Sequence, residues 1–198
     1  MRARLVEATI SSIAQDGLAG ASIEKITRRA GVSRGLVRHY FGAKSNLLAE
    51  AFQKLAQDYR EMLGMDQSDS LESDRAAELR LRRSILPMFD RLAPAPDRQY
   101  AWFGFWALAR SEPQIELLNH ALYEEIVAYL GGQIADVAAR RGREVDAAAM
   151  GRGLAAMMEG AWVHNIIGVE GMTVPEAQRL SLDYVARLLG GELASESH

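Results

Sequence analysis

The sequence contains no cysteine. That absence excludes a disulfide scaffold, a thiolate metal site and a thiol nucleophile, and it makes a reducing compartment, the cytoplasm, the expected location. Strand signals are nearly as scarce: β-branched residues are scattered, and no stretch alternates apolar and polar residues over several positions. No run of about 18 apolar residues occurs, so no membrane span is expected. The opening MRARLVEATISSIAQ mixes polar and apolar residues at helical spacing and lacks the continuous apolar stretch of a signal peptide. No HExxH or comparable ligand spacing is present, so neither a metal nor a cofactor is expected. Proline is limited to five residues. Pro94, Pro96, Pro113 and Pro175 fall where helices start or links precede them, whereas Pro87 falls inside a helical stretch and predicts a kink.

What remains is a chain of 198 residues, 48% hydrophobic, long enough for one full core or for a small domain joined to a medium one. The net charge of -3 conceals an asymmetry. Residues 1–47 hold eight Lys and Arg against three acids, a balance of +5, while the rest holds fifteen against twenty-three, a balance of -8. A basic end on an acidic body implies one part suited to meet a polyanion and another that is not.

Helical spacing recurs almost everywhere, and nine helices are expected. The first spans about Arg2 to Asp16, with Leu5, Ala8, Thr9, Ser12 and Ile13 along one face and Gly17 as its stop. The second starts at the cap Ser22, carries Glu24 in its first turn and ends at Gly31. A short third starts at the cap Ser33 and closes at Gly42, and the fourth runs from about Ala43 to Leu63. The polar segment GMDQSDSLESD then reads as a linker. Beyond it the pattern predicts helices over about Asp74–Leu92, Asp97–Ser111, Pro113–Arg141, Asp146–Gly168 and Pro175–Leu189.

The chemistry concentrates in residues 22–44, SIEKITRRAGVSRGLVRHYFGAK. Ile23, Ile26 and Ala30 form an apolar face, Gly31 a tight turn, Val32 fills the angle between two helices, and Leu36 and Val37 anchor the second of them. Two short helices joined by a glycine turn with bases on the outer side form a helix-turn-helix, whose second helix enters a DNA major groove. Arg34, Arg38 and His39 project outward on that helix, and Gly35 weakens it by about 1 kcal/mol relative to alanine, which suits close approach of backbone to a phosphate. Ser22, Arg28 and Ser33 complete the outer set.

In this segment Ser22, Ile26, Ala30, Gly31, Val32, Ser33, Gly35, Tyr40, Phe41 and Lys44 stand in a register that resembles the TetR family of transcriptional regulators. The resemblance implies an all-α fold with a three-helix DNA-binding domain over residues 1–47 and a larger helical ligand-binding and dimerisation domain over residues 48–198. It also implies a homodimer on a palindromic operator in double-stranded DNA, a small-molecule effector and a repressor role. Tyr40 and Lys44 match family positions that touch the DNA backbone. Arg38 stands where the family usually has tyrosine, which points to a bidentate guanine contact. Ala43 replaces the usual capping residue of the fourth helix. A second likeness, carried by AWFGFWALARSEPQIELL and GRGLAAMMEGAWVHNIIG, is to the C-terminal half of BetI-type repressors, the subgroup associated with choline and betaine metabolism.

Two motifs mislead. Gly31-Val32-Ser33-Arg34-Gly35 fits the GxSxG elbow of hydrolases, yet a helix precedes it where the elbow needs a strand, and His39, His120, His164 and His198 lie in scattered settings. Gly151-Arg152-Gly153-Leu154-Ala155-Ala156 fits a dinucleotide fingerprint without the surrounding βαβ unit, and its small residues read better as a place where another helix packs closely. No catalytic residue is expected. In the body, Tyr100, Trp102, Phe103, Phe105 and Trp106 crowd two turns, and Glu159, Trp162 and Asn165 recur at three-residue steps. An acid inside the apolar run LAAMMEGAWV either faces solvent or awaits a cation. Indole faces attract quaternary ammonium groups. Trp102, Phe105, Trp106, Tyr123, Glu159, Trp162 and Asn165 are therefore the expected ligand residues, and the BetI likeness implies a choline-like cation. Ala177, Leu180, Ser181, Tyr184 and Leu188 on the last helix, with Gly151, Leu154, Ala155 and Met158 on the one before, are the expected dimer interface.

Overall fold

A computed structural model describes residues 1–66, 73–90, 96–167 and 172–195, without the side chains of residues 90, 96, 97, 165 and 166. Most of the expected linker, the boundary residue Pro94 and the expected helix ends at Leu92 and Gly168 lie outside the described residues. Among the described residues every regular element is helical: α1 (Arg2–Asp16), a 3-10 turn (Gly17–Ala21), α2 (Ile23–Ala30), α3 (Gly35–Phe41), α4 (Lys44–Leu63), α5 (Asp74–Asp90), α6 (Pro96–Ala109), α7 (Pro113–Arg140), α8 (Ala147–Ile166) and α9 (Val174–Leu189). Among the described residues the all-α expectation and its nine helices are met. Helix α5 runs through Pro87 to Asp90.

The chain forms two compact units. The first comprises residues 1–59 and 94–123, and so contains all of residues 1–47 together with α6. At its centre α1 buries the stripe Leu5, Ala8, Thr9, Ser12 and Ile13, as the i, i+3, i+4 spacing requires. Helix α6 lies close on α1 at Gly104, where an added Cβ would collide with the Ile13 side chain. Arg98 of α6 fastens two other helices, pairing with Glu7 of α1 at 3.1 Å and with Asp58 of α4 at 2.7 Å.

The second unit comprises residues 60–93 and 124–198. Here α8 crosses α7 at glycines: a Cβ on Gly151 would stand 2.7 Å from the backbone nitrogen of Gly131 and from the carbonyl oxygen of Val127. The small residues of the false fingerprint thus let two backbones meet. On the other side of α8, Gly153 leaves room for the Tyr184 hydroxyl of α9. A polar cluster joins α7 to α5 and to the end of α4, with the Gln133 amide donating to the buried Ser84 Oγ at 2.9 Å and the half-buried Tyr129 hydroxyl donating to the Leu63 carbonyl at 3.1 Å. Helix α9 is delimited by Thr173, which accepts from the Glu176 N–H, and by Gly190 in the left-handed region.

Candidate nucleic-acid interface

The geometry of residues 22–44 follows from local rules. Ser22 is extended and its hydroxyl accepts from the Lys25 N–H at 3.2 Å, so α2 starts at the expected cap. Gly31 ends it with φ 62° and ψ 41°, a conformation that glycine adopts without strain. The Gly31 N–H then bonds the Arg28 carbonyl and the Val32 N–H the Thr27 carbonyl, closing the turn. Ile26, Ala30, Val37 and Phe41 are buried and press α2 and α3 into the first unit, so the opposite face of α3 is outward. The guanidinium of Arg2 lies 5.1 Å from the centroid of the Phe41 ring and steadies the end of α3.

One local expectation is corrected. Helix α3 begins at Gly35 with Arg34 as its cap residue and no side-chain capping bond, where Ser33 was the expected cap. Ser33 contributes its carbonyl, which accepts from the Leu36 N–H at 3.2 Å, and its hydroxyl stays out of the cap. Gly35 faces open space: an added Cβ would meet nothing nearer than Ser33 Oγ at 4.0 Å. The packing of the chain itself therefore does not require glycine there.

All nine sequence-derived DNA residues reach the surface: Ser22, Arg28, Ser33, Arg34, Gly35, Arg38, His39 and Lys44 are exposed, and Tyr40 is half-buried with its ring edge-on to His39 at 4.9 Å. They differ in charge pairing. No hydrogen bond or ion pair reaches the side chain of Arg38 or of Lys44 from the described residues. Arg28 and Arg34 both pair with Glu24, at 2.6 Å and 2.9 Å. Lys25 and Arg29 turn instead toward Asp16, each at 3.6 Å. Sequence reasoning placed Glu24 only in the first turn of α2. The i, i+4 step from Glu24 to Arg28 was a legible signal, whereas its reach to Arg34 across the turn was not.

The body residues separate by environment. On α6, Trp102 stands edge-to-face on Phe52 at 5.5 Å and Tyr59 at 5.9 Å and leans on Trp106 at 6.4 Å. Phe105 is fully buried against Phe52, a core residue of the first unit. Tyr123 is half-buried and takes no part in this ring cluster. In the second unit Trp162 is 4% exposed and shares a face of α8 with Glu159. Burial pushes the Glu159 carboxyl above the ordinary glutamate value, and no hydrogen bond or ion pair reaches it from the described residues. The Asn165 side chain lies outside the described residues. Of the expected dimer residues, Gly151, Leu154, Ala155, Met158, Ala177 and Ser181 are buried in the single chain, while Leu180 is 37% exposed and Tyr184 and Leu188 are half-buried. A side chain covered by its own chain has no surface left for a second copy, so the outward part of this face is Leu180, Tyr184 and Leu188. Among the described residues no group of His, Cys, Asp or Glu is placed to hold a metal ion, and no helix is long and apolar enough to cross a membrane.

Known proteins agree with this geometry. Residues 5–51 match the bacterial regulatory proteins of the tetR family, and residues 77–190 match the C-terminal family of BetI-type transcriptional repressors. The chain is 31% identical to the HTH-type transcriptional regulator BetI 1 of Chromohalobacter salexigens, over 95% of this chain and 90% of that protein. The crystal structure of a transcriptional regulator from Pseudomonas aeruginosa PAO1 superposes with a TM-score of 0.82 at 27% identity, covering 96% of this chain and 90% of that one. A transcriptional regulator from Saccharomonospora viridis, solved in complex with choline, has the same fold with a TM-score of 0.77 at 21% identity, covering 93% of this chain and 94% of that one. The helix-turn-helix, the helical body and these likenesses together place the chain in the TetR family of DNA-binding transcriptional regulators, with a C-terminal part of the BetI type.

Proposed function

We propose that this regulator is a homodimeric, cytoplasmic repressor that holds a palindromic operator through α3 of each protomer and releases it on binding a choline-like cation. The observation that carries the DNA part is the pair of exposed cations without partners, Arg38 on α3 and Lys44 at the start of α4, on a helix whose inner face is locked by Val37 and Phe41. Arg38 reads a base edge, with Arg34 and His39 beside it. Lys44, Tyr40, Arg28, Ser22 and Ser33 meet phosphates, and Gly35 lets the backbone come close. Residues 1–47 are the DNA-binding part, and residues 48–198 bind the effector and the second protomer. The outward residues of α9, Leu180, Tyr184 and Leu188, meet their copies about a two-fold axis. That axis places two α3 helices on half-sites about 34 Å apart.

The effector part rests on Glu159. A desolvated carboxylate without a counter-charge is costly to bury, and a cation beside it lowers that cost. Trp162, one turn further along the same face, supplies an aromatic ring for a quaternary ammonium group, an interaction of about 0.5–2 kcal/mol. The relatives named BetI and the choline complex of the Saccharomonospora viridis regulator support the same ligand class. The protein is a binding protein and no residue is assigned a catalytic role.

Two measurements test the proposal. Selection of duplex DNA by the purified protein should return a palindrome whose binding weakens steeply between low and moderate salt. Choline, betaine aldehyde and an uncharged isostere of choline should then be titrated against the complex. Release by the cations and not by the isostere is expected, and equal release by all three refutes the cation reading.

A further inference from the structure

Among the residues assigned to DNA, the charges are not equally available. Arg38 and Lys44 stand alone, whereas the guanidinium groups of Arg28 and Arg34 converge on one carboxylate, Glu24. Each oxygen serves a different helix: Oε1 takes Arg28, four residues on in α2, and Oε2 takes Arg34, which lies across the glycine turn as the cap residue of α3. The site is open to solvent, with the Arg28 and Arg34 side chains 73% and 67% exposed and that of Glu24 54% exposed. The second acid nearby, Asp16, engages Lys25 and Arg29 and leaves this cluster alone.

We infer that Glu24 is a positioning residue that sets the ratio of operator to non-specific affinity. Exposed pairs of this kind are weak, so the carboxylate biases the two arginines without locking them. The bias has two consequences. Held by Glu24, the long Arg34 side chain is already ordered at the start of α3, where the leading residues of a recognition helix meet base edges. At the same time the carboxylate competes with DNA phosphates for both guanidinium groups, and it is a negative charge on a face that must approach a polyanion. Non-specific binding depends almost wholly on phosphate contacts, whereas operator binding also draws on base contacts. The competition therefore weakens non-specific binding more than operator binding. Glu24 thereby raises discrimination while lowering total positive charge at the interface.

This inference rests on the proposed DNA face, and the experiment separates the two. The Kd for the selected operator and for a random duplex of equal length is measured at several salt concentrations with the wild-type dimer, Glu24→Gln, Arg34→Ala and the double variant. Glu24→Gln should bind random duplex about three- to tenfold more tightly, with the logarithmic salt slope steeper by about one, as one more phosphate contact implies. Operator affinity should change by less than about twofold, so the ratio falls. On the Arg34→Ala background the Glu24 substitution should shift both duplexes equally and leave the ratio unchanged. If Arg34→Ala weakens binding while Glu24→Gln keeps the wild-type ratio, or if the ratio falls equally without Arg34, the role of Glu24 is refuted and the DNA face stands. If Arg34→Ala binds both duplexes as the wild type does, Arg34 does not meet DNA and the role of Glu24 is refuted, while the DNA face is decided separately by the loss of binding in Arg38→Ala and Lys44→Ala. Unchanged helix content and unfolding midpoint in Glu24→Gln identify the effect as one of binding.

Discussion

The crossing of α7 and α8 gives a sharp test of how the second unit is built. A Cβ added at Gly151 would stand 2.7 Å from the Gly131 nitrogen, 2.7 Å from the Val127 oxygen and 2.8 Å from the Gly131 Cα. All three are backbone atoms, so no side chain can rotate away, and the helices must part toward the ordinary separation of about 3.5 Å between non-bonded atoms. Overpacking of this kind costs about 1–3 kcal/mol, and three simultaneous contacts put Gly151→Ala at the upper end. The gain in helix propensity, about 1 kcal/mol, offsets part of it and leaves a net loss of about 2 kcal/mol. Gly132 on α7 is the control, because nothing lies within 4 Å of its added Cβ and the propensity gain stands alone. For a chain of this length about 1 kcal/mol shifts Tm by about 2–4 °C. Thermal unfolding followed by circular dichroism, at one protomer concentration, should show Gly151→Ala melting about 4–8 °C below the wild type and Gly132→Ala about 2–4 °C above it. Shifts of the same sign refute the close crossing.

In the interface, Arg38→Ala should weaken operator binding by about 1–3 kcal/mol and relax one base preference per half-site, whereas Lys44→Ala should weaken all duplexes alike and reduce the salt slope by about one, both read from binding isotherms on operator variants. Equal losses on every sequence for both variants would assign Arg38 to the phosphates. Burial raises the Glu159 carboxyl above its ordinary value of 4.5, so the unfolded chain releases this proton first, and the stability that the protonated form contributes is full below 4.5 and lost as pH rises through the folded value. Denaturant titrations of Glu159→Gln against the wild type should therefore differ by a constant amount below pH 4.5 and increasingly favour the variant above it, and a pH-independent difference contradicts the buried charge. Leu180→Glu, on the outward face of α9, should yield monomers in sedimentation at micromolar concentration, and an intact dimer would move the interface elsewhere.

The sequence by itself determined the helices, the turn and the outer residue types of residues 22–44. Spacing of Leu5, Ala8, Thr9, Ser12 and Ile13 named the buried face of α1, and Ser22 and Gly31 marked the ends of α2, because caps and periodicity are local properties of the chain. The family was legible for the same reason, since its motif occupies one continuous segment. Partners were not legible. Periodicity says that a helix has an apolar face and does not say what covers it: of the expected interface residues, Leu154, Met158, Ala177 and Ser181 are buried in the single chain while Leu180 is exposed. Trp102 and Phe105, expected at the ligand, stand edge-on against Phe52 of α4, a contact that the helical spacing of α6 does not show. Where Gly104 meets Ile13, where Gly151 meets Gly131, and which arginines Glu24 reaches depend on close approach between segments distant in the chain or separated by a turn. Such contacts are set by the shape of the packed helices, a property that no single segment carries.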